Sequence, residues 1–239
     1  MITGRMPRPR LPEHIVERIR RERYEPRFSQ CDYLHLRDLR DALVTALAGI
    51  RLPSGPALDL YCGTQPYQAM LPARRIVGLD IDRHFGRTDV VGSVPMPFRD
   101  GAFALVLCTQ ALHLVDEPAT AVQEMRRVLG RGGCAVITIP HVLRRELAAE
   151  RKFSKQQLLA LFDGWDVEVT GFGGMGSVLA YLPGSIVNGA ARRWPVLRIV
   201  LPVVGNLLNT LGELADRLLT RMGRRWPASW LVLATVPPD

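Results

Sequence analysis

The segment Asp59-Leu-Tyr-Cys-Gly-Thr-Gln-Pro-Tyr67 places a glycine, Gly63, just past a short apolar run. A glycine there lets the backbone approach a ligand where a Cβ would collide. A helix start just beyond it offers unpaired amides to a negative group. Roughly twenty residues on, the spacing seen in nucleotide-binding α/β units, Gly78-Leu-Asp-Ile-Asp82 ends a second apolar run on an acid. Asp80 is positioned to accept hydrogen bonds from both hydroxyls of a ribose, with Ile81 beside it; Asp82 reads as a cap for the next turn. A third stretch, Pro95 to Phe103, leads into an apolar run that ends in Cys108-Thr-Gln-Ala-Leu-His-Leu-Val115. The turn at Cys108, Thr109 and Gln110 is expected beside the reactive end of whatever the first two loops hold.

Three histidines are candidates for general-base work, because an unperturbed imidazole titrates near neutrality. His113 and His141 follow the two central apolar runs, and His35 lies in an N-terminal helical stretch. His14 and His84 read as surface residues. No HxxxH or His/carboxylate spacing points to a metal, and no GxSxG nucleophile turn occurs.

These loops need a sheet to hold them. Short apolar runs at 57–61, 75–79, 89–91, 103–108, 134–139, 165–170 and 229–235 read as strands. Between them lie helical patterns at 117–129 and 154–162, with Ser154 as an N-cap, and a helix start at 67–71. Alternation of this kind specifies an α/β fold with a mostly parallel sheet covered on both faces. Helices at 13–23 and 34–50 precede the sheet and form a cap over residues 1–54. Leu36, Leu39, Leu43, Leu47 and Ile50 recur at helical steps in the second. The core runs from 55 to 174. A helical insertion at 175–227 then intervenes before the last strand in 228–239. Leu207, Leu208, Leu211, Leu214, Leu218, Leu219 and Met222 line one face of that insertion, a stripe that must be buried somewhere.

The net charge of +8 is unevenly placed: +4 on residues 1–40, +5 on 175–227, and −1 on the remainder. Only Lys152 and Lys155 are lysines, so the basic character is arginine. A basic amphipathic insertion suits an anionic partner, a lipid surface above all. Four scattered cysteines, Cys31, Cys62, Cys108 and Cys134, read as reduced thiols. No apolar run reaches the roughly 20 residues of a membrane span, and no secretion signal opens the chain. A cytoplasmic protein with peripheral membrane contact is the expectation.

ALDLYCGTQPY, IVGLDID, VVGSVPMPFRDGAFALVLCTQALHLVDEP and EMRRVLGRGGCAVITIP resemble, in order and with fitting gaps, the successive motifs of class I S-adenosylmethionine-dependent methyltransferases of the type 11 group. A weaker likeness to bacterial members whose first loop reads GCGxxPY extends outward. The resemblance implies a Rossmann-like seven-stranded sheet whose last strand is antiparallel. It implies S-adenosylmethionine as cofactor. Asp59, Cys62, Gly63, Thr64, Pro66 and Asp80 stand at the family's loop and ribose positions. Ser93 and Val94 occupy the "DA" positions beside the adenine, without the usual Asp. Tyr61 replaces the loop's first Gly, Gln65 its third, and Ala104 the "FD" Asp; His113-Leu114 fill the "EH" positions. A side chain at Tyr61 either narrows the methionine end of the pocket or turns into neighbouring space. The expected function is methyl transfer to a small-molecule, glycan or lipid-type acceptor. The departures at Tyr61, Gln65, Ser93 and Ala104 support a second reading, a non-catalytic binding protein on the same fold. A nucleic-acid methyltransferase ranks last, because the basic flanks lack interleaved aromatics and no RNA-binding module is appended.

Overall fold

The computed structural model describes residues 8–140, 151–222 and 226–237. Helices α1 (Glu13–Tyr24) and α2 (Tyr33–Gly49) precede strand β1 (Ala57–Leu60). The chain continues through β2 (Ile76–Asp80), β3 (Val90–Val91), β4 (Phe103–Thr109), α3 (Pro118–Val128), β5 (Leu129–Pro140), α4 (Lys155–Leu161) and β6 (Asp166–Phe172). Helices α5 (Met175–Arg193) and α6 (Leu201–Arg221) follow, and β7 (Ser229–Thr235) ends the order. The sheet has seven strands in the order β3-β2-β1-β4-β5-β7-β6. The first five are mutually parallel, while β7 runs antiparallel to both β5 and β6.

Side chains alternate across the sheet, and the alternation builds two cores. Val106 and Cys108 of β4 join Ala135, Ile137 and Ile139 of β5 on one face, under α3 and α4. Leu105 and Leu107 point to the other face, where Leu39, Leu43 and Leu47 of α2 cover them. The second N-terminal helix is therefore part of the sheet's own packing as well as a flank. Ser154 caps α4 as its position suggested. Its hydroxyl accepts from the Gln157 amide at 3.2 Å and the Gln157 side chain accepts from the Ser154 amide at 2.8 Å, a reciprocal capping box.

Two local expectations change. Residues 67–71 form only a 3-10 turn at Gln68–Met70, because Pro66 and Pro72 leave too little chain for an α-helix. Strand β5 begins at Leu129, so the glycines at 130–133 extend the strand, with a register shift against β4 between Phe103 and Leu105. His84 lies at the surface, partly exposed, with its Nδ1 2.6 Å from the Pro9 carbonyl oxygen.

The insertion departs most from its sequence pattern. Leu207, Leu211, Leu214, Leu218 and Met222 face outward, whereas Gly205, Asn209 and Gly212 are buried. The physical reason is close backbone approach. A Cβ on Gly212 would stand 2.6 Å from the Gly176 carbonyl oxygen, and one on Gly205 would collide with the Ser29 carbonyl. Asn209 Nδ2 donates to the Phe28 and Gln30 carbonyls at 2.6 and 2.8 Å. Arg37 Nη1 reaches Glu213 Oε1 at 2.7 Å, and Asp216 Oδ1 accepts the Gly176 amide at 2.7 Å. The insertion is thus docked on the N-terminal helices by glycines and polar groups. No helix among the described residues is long and apolar enough to cross a membrane.

Candidate functional site

Strand order reverses beside β1, with β2 on one side and β4 on the other. In open α/β sheets ligands bind beyond the carboxyl ends of the strands at this point. A cavity of about 410 Å3 lies there.

The loop after β1 shapes its floor. Tyr61, Gly63 and Gln65 all hold left-handed backbone, with φ of 57°, 53° and 49°. Glycine adopts this freely, whereas an L side chain costs roughly 1–2 kcal/mol. All three positions thus hold the conformation that glycine favours, and two of them carry side chains. A Cβ on Gly63 would meet nothing closer than Phe85 Cδ2 at 3.9 Å, so the backbone there borders open cavity.

Asp80 fixes that loop from β2. Its Oδ2 accepts the Gly63 amide at 2.9 Å and its Oδ1 the Ile81 amide at 2.8 Å. Burial raises the Asp80 carboxyl above its usual value, against the opposing pull of these two amides. Each carboxylate oxygen has a further lone pair, and Asp80 and Ile81 both line the cavity. Asp59 lies deeper, fully buried, where desolvation first and the Asp80 charge second push its carboxyl well up.

Tyr61 turns aside. Its hydroxyl lies 3.1 Å from Ser93 Oγ, so two departures from the family pattern meet each other. Its phenol is pushed up to about 12, chiefly by burial. The ring thus runs toward the Ser93 position, and the cavity stays open. The segment past Ser93 is clamped by the motif acid and arginine of α3. Glu124 Oε2 accepts the Met96 amide at 2.7 Å, and Arg127 donates to the Phe98 and Met96 carbonyls at 2.7 and 2.9 Å.

Of the residues singled out by sequence, Tyr61, Gly63, Thr64, Asp80, Ile81, Thr109, Gln110, His35 and His113 line the cavity. Asp59, Cys62, Gln65, Pro66, Ser93, Val94 and Cys108 do not. Cys62 Sγ points to the Arg87 carbonyl, 3.8 Å away, and Cys108 lies in the sheet core. His141 lies outside the described residues. Sequence reasoning missed Arg23 and Asp32, which precede and open the second helix, and Ser177, Val178 and Tyr181 of α5. No motif marks them; they reach the site through long-range packing. The His35 and Tyr181 rings stand 6.2 Å apart between centroids.

Three buried polar atoms on lining residues have no hydrogen-bond partner among the described residues: Thr64 Oγ1, Gln110 Nε2 and Ser229 Oγ. Buried polar groups are ordinarily satisfied, so these three are suited to contact a polar molecule in the cavity. A second cleft, about 1090 Å3, adjoins the cavity between α1 and α5. Arg18, Arg21, Arg27 and Arg198 line it together with Glu22 and Glu25, and Asp32 and Tyr181 belong to both spaces.

Residues 58–137 match the sequence model of a family described as a methyltransferase domain. The match runs from β1 into β5 and leaves the N-terminal helices and the insertion outside it. A search of curated sequences gives no match. Among solved structures, the [4+2]-cyclase SpnF is similar with a TM-score of 0.54, at 18% identity over 83% of this chain and 80% of that one. A candidate sarcosine dimethylglycine methyltransferase from Galdieria sulphuraria gives 0.52, at 13% identity over 87% and 85%. A complex of the Haloferax volcanii Trm112 methyltransferase activator with a methyltransferase gives 0.51, at 17% identity over 81% and 88%. At these identities the likeness is one of fold. Residues 58–137 thus carry the sequence signature of a methyltransferase domain, on a fold that these solved structures share.

Proposed function

We propose that the protein transfers a methyl group from S-adenosylmethionine to a small-molecule, glycan or lipid-type acceptor held beneath α2 and α5. The observation that carries this is the convergence of the Gly63 backbone, the Asp80 carboxylate and three unsatisfied polar atoms on one cavity. These residues fit the cofactor. Asp80 would take the ribose hydroxyls, and Gly63, Thr64, Thr109 and Gln110 the amino-acid end. The cofactor brings a methyl group already activated on a sulfonium, so the protein's task is alignment and exclusion of water. Positioning of this kind is worth roughly 7–11 kcal/mol in favourable cases.

The acceptor end is built by the N-terminal helices and the insertion. Leu36, Leu39 and Val178 supply apolar wall; Arg23, Asp32, His35 and Tyr181 supply polar groups. His35 and His113 are the candidates to take a proton from an acceptor hydroxyl or amine. The adjoining cleft, lined by charges of both signs, extends the space open to an acceptor with polar groups.

The test is incubation with methyl-labelled S-adenosylmethionine and with aqueous and organic-solvent cell extracts. Label carried into an extract component, lost in His113→Ala or His35→Ala, supports the reading. Absence of transfer to every fraction, despite cofactor binding, favours the second reading, a non-transferring member of the fold. The replaced glycines at Tyr61 and Gln65 favour it, and the likeness to a [4+2]-cyclase illustrates it.

A further inference from the structure

We infer that the outward face of α5 and α6 is a docking surface for an anionic lipid membrane. Val203, Leu207, Leu211, Leu214 and Leu218 project from one side of α6. Val196 and Ile199 lead into this row from the connector, and Met222 ends it. Exposure across the row runs from 50% at Leu218 to 78% at Ile199. Single exposed leucines are ordinary, but a continuous apolar row along a helix is not.

Two independent features identify the occupant as lipid. The first is the inverted packing. The inward faces of α5 and α6 meet through Gly176 and Gly212, while the large apolar side chains point away. Helices pack in this sense where the surrounding medium is hydrocarbon, since small residues allow close approach and lipid receives the rest. The second is charge. The insertion's described acids are turned inward: Glu213 pairs with Arg37 at 2.7 Å, with Arg217 at 3.8 Å on its other oxygen, and Asp216 holds the Gly176 amide. Arg193, Arg198, Arg217 and Arg221 remain exposed around the apolar row. A basic amphipathic helix of this kind lies in the plane of an anionic interface. A second copy of the chain is a poorer occupant, because pairing the two rows would bring the exposed Arg193, Arg217 and Arg221 of both copies together. Helix α5 also carries Ser177, Val178 and Tyr181 in the cavity wall, so the membrane-facing element and the acceptor wall are one helix. The inference does not rest on methyl transfer.

The experiment is co-sedimentation of the full chain with vesicles of phosphatidylcholine alone and of phosphatidylcholine mixed with phosphatidylglycerol. The wild type should bind the anionic vesicles, and salt at about 0.5 M should lower binding at least tenfold. L207S/L211S/L218S should lose about tenfold or more in partitioning while keeping its melting temperature. R193Q/R217Q/R221Q should weaken binding to anionic vesicles only. Wild-type protein that stays in the supernatant with both vesicles overturns the inference. So does undiminished binding of the leucine variant, or a wild-type dimer in sedimentation equilibrium that this variant dissolves. Affinity for S-adenosylhomocysteine, measured on the same samples, separates failure here from failure of the methyltransferase reading.

Discussion

Strand β4 and helix α6 are both rich in leucine, and they place it in opposite ways. In β4 every side chain from Phe103 to Cys108 is buried, and the alternation serves two cores at once. In α6 the leucines of the main row are half-exposed, and the inward face is glycine and asparagine. The sheet is held by apolar contact, the insertion by backbone approach and hydrogen bonds. A hydrophobic pattern thus reports which face of an element is apolar. What that face meets depends on the space its neighbours leave.

The difference has measurable consequences for stability. Leu107→Ala, on β4, should cost about 2–5 kcal/mol in denaturant unfolding, the range for a fully buried leucine. Leu211→Ala should cost within about 0.5 kcal/mol, as for other surface changes. Similar losses at both positions would mean that the α6 row is buried in solution.

Adding volume tests the other side of the contrast. Gly212→Val pushes a side chain toward the Gly176 carbonyl and should destabilise by about 1–3 kcal/mol. Hydrogen exchange should quicken in α5 and α6 and stay slow in β1, β4 and β5. Uniform loosening of the whole molecule would show that insertion and sheet unfold as one unit.

Buried polar groups sharpen the comparison further. Asn209 spends its amide on two carbonyls, whereas Asp59 carries a carboxyl raised by burial. A carboxyl with a raised folded-state pKa contributes fully to stability below its unfolded value, and that contribution is lost as pH rises through the folded value. Asp59→Asn should therefore stabilise the fold at neutral pH, with the gain shrinking as pH falls toward the ordinary carboxylate range. Melting temperatures across pH check this; a gain independent of pH would contradict the assigned cause.

The sheet was legible because buried parallel strands are short apolar runs separated by turn residues, and 57–61, 75–79 and 103–108 have that form. The meeting of Asp80 with the Gly63 loop was legible through their spacing. The lining contributed by Asp32, Ser177 and Tyr181 was not, because those residues come from segments without a motif and meet only after the insertion docks. The inversion of α6 had a signal in Gly205, Asn209 and Gly212, small or amide residues at helical steps opposite the leucines. Periodicity favours large apolar residues, and it pointed the stripe inward instead. Tyr61 was ambiguous until Ser93 supplied a partner for its hydroxyl.

Calorimetric titration with S-adenosylhomocysteine addresses the central claim, that the cavity beyond β1 and β2 is a cofactor site organised by Asp80. Wild-type protein should bind with micromolar affinity at a single site. Asp80→Ala should lose about 1–3 kcal/mol, the cost of removing hydrogen bonds to a charged group. The account is contradicted if the folded wild type gives no heat with either S-adenosylhomocysteine or S-adenosylmethionine, or if folded Asp80→Ala binds as tightly as the wild type.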